Sequence, residues 1–160
     1  HVADPVPVAE ARWTDLAAGG ETSMGAALRE IGQALTAEAM PGRQLPPVVV
    51  LASDGYPTDE FEEGLDAFFA VDHAKAAIRL AIAIGGEADL EVLERFIRNP
   101  AFKPLRANNA SDLVRHIKWA TTAPVKTASS PTNAPDPLAP LAQRTADEAA
   151  QKPDVSELIW

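Results

Sequence analysis

The chain has 160 residues, of which 46% are apolar, and it carries a formal net charge of −9 and no cysteine. That length and apolar content suffice for one domain with a buried core. The acidic charge argues against a nucleic-acid surface, and the lack of cysteine excludes disulfides and thiolate metal sites. The sequence shows no membrane-spanning run and no signal-peptide pattern, so we expect a cytoplasmic protein with neither nucleic acid nor membrane as partner.

Composition changes near residue 123. Residues 124–160 hold six of the 14 prolines, separated mainly by Ser, Thr, Asn and Ala. We therefore predict a domain over residues 1–122 and a tail over 123–160 that is mostly extended or disordered. Within the tail, only residues 139–151 hint at a periodic pattern. The apolar end of residues 154–160 is either a short docking segment or a frayed terminus.

The first 122 residues alternate between strand and helix patterns. Residues 2–8 predict an edge strand, because Pro5 and Pro7 cannot donate to a sheet. Three further strands are predicted at residues 48–52, Ile78–Ile84 and 104–107. Apolar residues at helical spacing predict four helices, marked by Met24, Leu28, Ile31 and Leu35; by Phe61, Leu65, Phe68 and Phe69; by Leu90, Leu93, Phe96 and Ile97; and by Leu113, Val114 and Ile117.

This order predicts an α/β fold, a Rossmann-like three-layer sandwich with a mostly parallel sheet. The apolar run 48–52 begins with four consecutive large aliphatics without alternation, which favours a central strand covered on both faces. We expect Asp59, with Glu62 three residues later, to cap the helix that follows this strand. Asn109 is the expected cap of the last helix, with Asp112 at its third position.

The candidate ligand site follows the central strand. Ser53-Asp54-Gly55 stands at its carboxyl end, where open α/β sheets bind ligands. Asp54 either presents a free carboxylate there or bonds its own turn. Thr22 lies in a tight loop after Gly19-Gly20, on what should be a neighbouring part of the same edge. A hydroxyl and a carboxylate are a partial ligand set for a hard divalent cation.

Enzymatic alternatives have weaker support in the sequence. The stretch around Ser23 misses the nucleophile-elbow pattern, because Glu21 occupies a position that requires glycine. The histidines, His1, His73 and His116, show no spacing of a catalytic triad or zinc site, and we expect them on the surface. A hydrolase that uses Ser23 or Thr22 near Asp54 remains the alternative function.

Three motifs follow one another along the chain: Gly19-Gly-x-Thr-Ser-Met-Gly-Ala-Ala-Leu28, Pro47-x-Val-Val-Leu-x-Ser-Asp-Gly-Tyr-Pro-Thr-Asp59 and Arg79-x-Ala-Ile-Ala-Ile-Gly85. Together they resemble the von Willebrand factor type A domain, most of all its bacterial tellurite-resistance (TerY-like) branch. The resemblance covers residues 1–122. It implies a metal-ion-dependent adhesion site that holds Mg²⁺, Mn²⁺ or Ca²⁺, with Thr22 and Asp54 as the family's second-loop and third-loop ligands.

The family's first-loop motif, Asp-x-Ser-x-Ser, is absent, together with the first strand, first helix and second strand. The nearest match, Asp154-Val-Ser156, follows no strand and is no substitute. By this resemblance His1 falls in a hairpin of the family fold. The chain is therefore expected to be the carboxyl-terminal part of a cleaved or split domain, with the amino-terminal fragment still bound. A degenerate, metal-free domain is the alternative within the family.

The expected function is a protein-binding module and not an enzyme. A cation held by few carboxylates keeps a net positive charge, so an acidic side chain of a partner protein can complete its coordination. The resemblance adds a setting in bacterial stress or metal resistance.

Overall fold

The computed structural model describes residues 9–10, 20–42, 45–129 and 135–150. The predicted strand at 2–8 and the apolar end at 154–160 lie outside these ranges. The described part contains, in chain order, α1 (Met24–Ala34), β1 (Val48–Ser53), α2 (Phe61–Ala70), α3 (Asp72–Ala76), β2 (Ile78–Ile84), α4 (Leu90–Ile97), β3 (Leu105–Ala107), α5 (Ala110–Ser129) and α6 (Ala139–Ala150).

The described strands form one open, parallel sheet in the order β1-β2-β3. Its register runs from Val48 beside Ile78 to Ser53 beside Ala83, and Ile82 lies beside Leu105. In the described sheet β2 is the central strand, and all of its residues are buried except the half-buried Arg79 and Ile84. Strand β1, which the sequence predicted to be central and covered on both faces, lies at the edge of the described sheet and buries only Val49 and Ser53. The α/β class and the parallel sheet are confirmed.

Helices cover the sheet and form its core. Buried side chains of α1, α2 and α4 pack in one large cluster that includes Val49 of β1. A smaller cluster joins Ile82 of β2 and Leu105 of β3 to Leu113 and Trp119 of α5. Since successive strand residues point to opposite faces, this packing is compatible with a Rossmann-like sandwich. None of the described helices has the length and apolarity needed to cross a membrane.

Helices α1 and α2 touch through their backbones. A Cβ atom at Gly64 would overlap the backbone of Gly25, and one at Gly25 would overlap the carbonyl of Glu60. Two glycines at this crossing therefore let the helices approach more closely than any side chain would allow. The contact holds the amino end of α1 against the loop that follows β1.

This contact changes the role of Asp59, which the sequence predicted to cap α2. Its carboxylate caps α1 instead: Oδ1 accepts from the Gly25 N–H at 2.9 Å and Oδ2 from the Ala26 N–H at 2.8 Å. The N-cap of α2 is Glu60, and its side chain makes no capping bond. The prediction for Asp59 was wrong because sequence spacing identified a cap but not the helix brought close to it in space.

The prediction for Asn109 is confirmed. Asn109 Oδ1 accepts from the Asp112 N–H at 2.9 Å, and the Asp112 carboxylate accepts from the Asn108 N–H at 3.4 Å. The two side chains thus satisfy amides at the start of α5, as in a capping box.

The buried face of α5 differs from the prediction. Val114 and Ile117, expected in the core, are 50% and 43% exposed. The buried residues are His116, Ala120 and Pro124, so the prediction of a surface histidine at 116 was also wrong. The physical reason is which face of α5 packs on the sheet: His116 lies on that face, with Nε2 2.9 Å from the Arg106 carbonyl of β3, whereas Val114 and Ile117 lie on a flank that stays exposed.

The tail also differs from the extended chain expected after residue 123. Residues 123–129 continue α5 through Pro124, and α6 packs against β3. Leu141, Ala142 and Thr145 of α6 are buried. Helix α6 coincides with residues 139–151, the part of the tail where the sequence hints at a period, and the small residues that it buries explain why that pattern is weak.

Candidate functional site

The carboxyl ends of the parallel strands lie at one edge of the sheet, here called the rim. At the end of β1, Ser53 is buried, and its Oγ both donates to the Gly55 carbonyl at 3.2 Å and accepts from the Gly55 N–H at 3.3 Å. Ser53 therefore closes the turn by itself. Asp54 is exposed, and its carboxylate takes no hydrogen bond or ion pair from the described part of the chain. Of the two predicted roles of the Asp54 side chain, a free carboxylate or a bond to its own turn, the structure favours the free carboxylate.

A cleft of about 350 Å³ opens beside Asp54. Its other lining residues follow or end β2: Ile84, Gly85, Gly86 and Glu87. Gly85 has a φ of 69°, a left-handed conformation that favours glycine, and its N–H donates to the Ala107 carbonyl at 2.9 Å. This turn brings Glu87 to the same cleft as Asp54. Asp54 and Glu87, which follow neighbouring strands, thus line one cleft.

Thr22 lies in the loop before α1, next to the loop that follows β1. Its carbonyl accepts from the Thr58 N–H at 3.0 Å and from the Met24 N–H at 2.9 Å. The structure therefore joins the two predicted ligand loops through their backbones. Thr22 is half-buried, and it does not line the cleft of Asp54 and Glu87.

Asp59 fixes the geometry of these two loops. Desolvation alone would raise the pKa of Asp59, but the hydrogen bonds from Gly25 and Ala26, together with the positive charge of Arg29, hold that pKa below its ordinary value. The Asp59 carboxylate is therefore ionised at neutral pH. An ionised aspartate at the amino end of a helix also interacts favourably with the helix dipole.

The donor set at the rim fits a hard cation only in part. Asp54 supplies a free carboxylate, Glu87 a second one across the cleft, and Thr22 a hydroxyl on the adjoining loop. Oxygen donors of this kind suit Mg²⁺ or Ca²⁺, which retain water where protein ligands are few. Among the described residues, no group of three or more His, Asp or Glu side chains is placed to hold a metal ion.

The described histidines lie away from Ser23. His73 Nδ1 is 3.0 Å from the Leu35 carbonyl, which is at the opposite end of α1 from Ser23. His116 Nε2 is 2.9 Å from the Arg106 carbonyl in β3. Ser23 is exposed at the N-cap position of α1 and makes no capping bond with its side chain. Within the described residues, the hydrolase alternative therefore has no histidine base beside its nucleophile.

Comparison of the chain with protein-family models, curated proteins and solved structures found no match. The function must therefore be argued from the rim itself and from the resemblance of its loop motifs.

Sequence reasoning found Asp54 and missed Glu87. The signal for Glu87 was its position just after Gly85-Gly86, where β2 ends at the same edge of the sheet as β1. A carboxylate two residues beyond a strand end is a weak pattern by itself, since the turn decides where the side chain goes.

Proposed function

We propose that the chain is a metal-ion-dependent protein-binding module of the adhesion-site type, working in a bacterial stress or metal-resistance system. The observation that carries this proposal is the free carboxylate of Asp54, held at the rim by a turn that Ser53 closes without it. The motif resemblance to the TerY-like branch of the von Willebrand factor A family supports it, since its third-loop aspartate corresponds to Asp54.

In this proposal Asp54 and Thr22 hold Mg²⁺, or Mn²⁺ or Ca²⁺ in its place, and Glu87 lies close enough to the same cleft to assist. The Asp-x-Ser-x-Ser loop comes from an amino-terminal fragment of the same domain, bound noncovalently. An acidic side chain of a partner protein completes the coordination. The cation supplies positive charge for this contact, and the chain itself performs binding and no catalytic step.

Calorimetric titration of the complete domain, the chain together with its amino-terminal fragment, with Mn²⁺ and Mg²⁺ tests the site. We expect saturable Mn²⁺ binding that Asp54→Asn abolishes, because the substitution removes the charge and keeps the side-chain shape. Glu87→Gln should weaken binding by a smaller factor. Asp66→Asn is the matched control, since Asp66 is exposed on α2, away from the rim. Unchanged Mn²⁺ affinity in the Asp54 variant would place the site elsewhere.

A fluorophosphonate probe separates binding from hydrolysis. A binding module should remain unlabelled, because Ser23 has no histidine beside it among the described residues. Covalent labelling that disappears in Ser23→Ala would favour the hydrolase.

A further inference from the structure

Helix α6 is attached to the rest of the domain through a small contact. The residues that it buries are Leu141, Ala142 and Thr145. The Thr145 hydroxyl accepts from the Lys103 N–H at 3.1 Å, just before β3. Helix α6 also lies outside the described sheet, whose strands pair without it. Separation of this helix from β3 should therefore need less free energy than unfolding of the whole domain.

The side chains between α5 and α6 form a balanced set of charges. Nitrogen atoms of the Arg115 and Arg144 guanidinium groups each lie 3.6 Å from a carboxylate oxygen of Glu148, whose side chain is only 15% exposed. On its other side Arg115 lies 2.7 Å from the Asp112 carboxylate. Two carboxylates thus offset two guanidinium groups. A further positive charge at this contact would have no carboxylate to balance it.

His116 lies beside this set of charges. Because successive residues of a helix are turned by about 100°, His116 lies between the buried Ala120 and the flank of Arg115 and Trp119 that meets α6. On that flank the Arg144 guanidinium lies 4.9 Å from the centre of the Trp119 ring. The imidazole of His116 is fully buried. Its position is therefore next to both β3 and the contact between α5 and α6.

One ring nitrogen of His116 has a partner and the other does not. Nε2 lies 2.9 Å from the Arg106 carbonyl, so in the neutral ring Nε2 carries the proton. Nδ1 is buried and has no hydrogen-bond partner among the described residues, and the same holds for Nε of Arg144. Protonation of the ring would place a buried N–H at Nδ1 without an acceptor, and a third positive charge near two guanidinium groups.

We propose that α6 is an acid-sensitive strap over the β3 edge, docked while His116 is neutral and released when His116 is protonated. Release would break the bond between Lys103 and Thr145 and admit water to Nδ1. It would also open the β3 edge to another chain. The inference goes beyond the proposed binding function and does not depend on the metal.

Histidine is the group whose charge changes in the range of this switch. The groups that face His116 are Asp112 and Arg115 of α5, Arg144 and Glu148 of α6, and the Arg106 carbonyl of β3. Carboxylates and guanidinium groups ordinarily keep their charge between pH 5.5 and 7.5, whereas an imidazole does not.

The direction of the effect follows from proton uptake. Desolvation lowers the pKa of His116 below 6.5 in the docked form. In the released form water reaches the ring and its pKa returns toward the ordinary value, so the released form takes up the proton more readily. Docking is therefore fully present above pH 6.5 and weakens as the pH falls. Uptake of one proton limits this change to about tenfold per pH unit.

Hydrogen–deuterium exchange of the full chain at pH 7.5 and 5.5, read by mass spectrometry, tests the proposal. The rates are corrected for the intrinsic pH dependence of amide exchange. We expect the protection of α6 amides to fall by up to about tenfold at pH 5.5. At both pH values α6 should also be less protected than β2, because its release leaves the sheet intact. This comparison within the unsubstituted chain needs no variant.

Three variants identify the cause. His116→Gln keeps an N–H donor for the Arg106 carbonyl and does not titrate, so it should abolish the pH dependence of α6 protection. His73→Gln is the matched control and should leave the full dependence, since His73 Nδ1 lies 3.0 Å from the Leu35 carbonyl at the end of α1. Glu148→Gln should lower α6 protection at both pH values, because it weakens both ion pairs across the contact. Circular dichroism confirms that each variant is folded.

Three results would overturn the proposal. Protection of α6 that does not change between the two pH values would show that docking is insensitive to acid. The same pH dependence in His116→Gln would assign it to another group. Equal protection of α6 and β2 would show that α6 leaves β3 only when the whole domain unfolds.

Discussion

The β3 edge and the β1 edge of the sheet differ in how their outward-facing backbone groups are satisfied. Because the Gly85 N–H donates to the Ala107 carbonyl, the alternate residue Arg106 directs its backbone outward from β3. His116 of α5 reaches this edge, with Nε2 2.9 Å from the Arg106 carbonyl. Thr145 of α6 accepts from the Lys103 N–H at 3.1 Å, just before β3 begins. The side chains of His116 and Thr145 thus bond backbone groups at or next to this edge of the sheet.

The β1 edge has no such closure among the described residues. The Ile78 N–H donates to the Pro47 carbonyl at 2.8 Å, so residues 48, 50 and 52 direct their N–H and C=O groups outward. Ala52 is exposed and Val50 is only half-buried. Unpaired strand edges are where other strands add to a sheet. In the described part of the chain, side chains therefore bond backbone groups at the β3 edge of the sheet, whereas the β1 edge leaves its outward N–H and C=O groups without a strand partner.

The difference between the two edges predicts a large loss of stability when a buried apolar side chain on the β3 side is shortened. Leu141→Ala should lower the free energy of unfolding by about 2–3 kcal/mol, because it leaves a cavity under α6. Leu45→Ala should change it by less than about 0.5 kcal/mol, since Leu45 is 57% exposed and precedes β1. Urea denaturation of both variants measures the difference. Equal losses would show that α6 contributes no more than an exposed segment.

An intermediate effect is expected from pH, again on the β3 side. Desolvation lowers the pKa of His116, and the positive charge of Arg115 lowers it further. The hydrogen bond to the Arg106 carbonyl and the negative charges of Glu148 and Asp112 act in the opposite direction, but the pKa stays below 6.5. Nδ1 of His116 is buried and has no hydrogen-bond partner among the described residues. A proton on Nδ1 would therefore be an unpaired buried charge.

The sign of this pH effect follows from proton binding. The unfolded chain takes up a proton on His116 more readily than the folded one, so stability should fall as the pH drops through 6.5 and level off below the folded pKa. Unfolding by urea at pH 7.5 and 5.5 measures the change, and His116→Gln, which keeps an N–H donor but does not titrate there, should reduce it. The same pH dependence in both proteins would exclude His116 as its cause.

The smallest energetic effect, and the most direct view of the β1 edge, is expected in amide exchange. The outward amides of Val48, Val50 and Ala52 should exchange at least about tenfold faster than the inward amides of the alternate residues, because only the latter donate to β2. Proton NMR in deuterated water resolves this alternation. Uniform protection along β1 would show that its outer edge is paired, and the contrast between the edges would disappear.

The elements with strong apolar periodicity were predictable from the sequence. For β2 and α4 the apolar residues alone decide both type and position, because each buries large side chains. The apolar run of β1 also predicted a strand, although only Val49 and Ser53 of it are buried. Helix α6 was not predictable in this way, since the residues that it buries include Ala142 and Thr145, which also occur in exposed segments. The burial of His116 was not predictable either, because it depends on the contact of α5 with β3, where His116 Nε2 lies 2.9 Å from the Arg106 carbonyl.

Prediction of the site was limited by turns and contacts between loops. Asp54 was identified because it follows a strand whose position periodicity had already established. Glu87 depended on the turn at Gly85, and the role of Asp59 depended on which helix end lay beside it. Such contacts join residues that are far apart in the sequence, and no local pattern records them.

The bonds of Asp59 and Thr22 have a consequence for the entropy of binding at the rim. Three hydrogen bonds join the loop before α1 and the first turn of α1 to the loop after β1: those from Gly25 and Ala26 to Asp59, and that from Thr58 to Thr22. The close contact of α1 and α2 at Gly25 and Gly64 also holds these segments together. The conformational freedom of these loops is thus lost when the chain folds and not when a ligand arrives. A preorganised rim loses little further entropy on binding, so even a few weak oxygen donors can produce a selective contact.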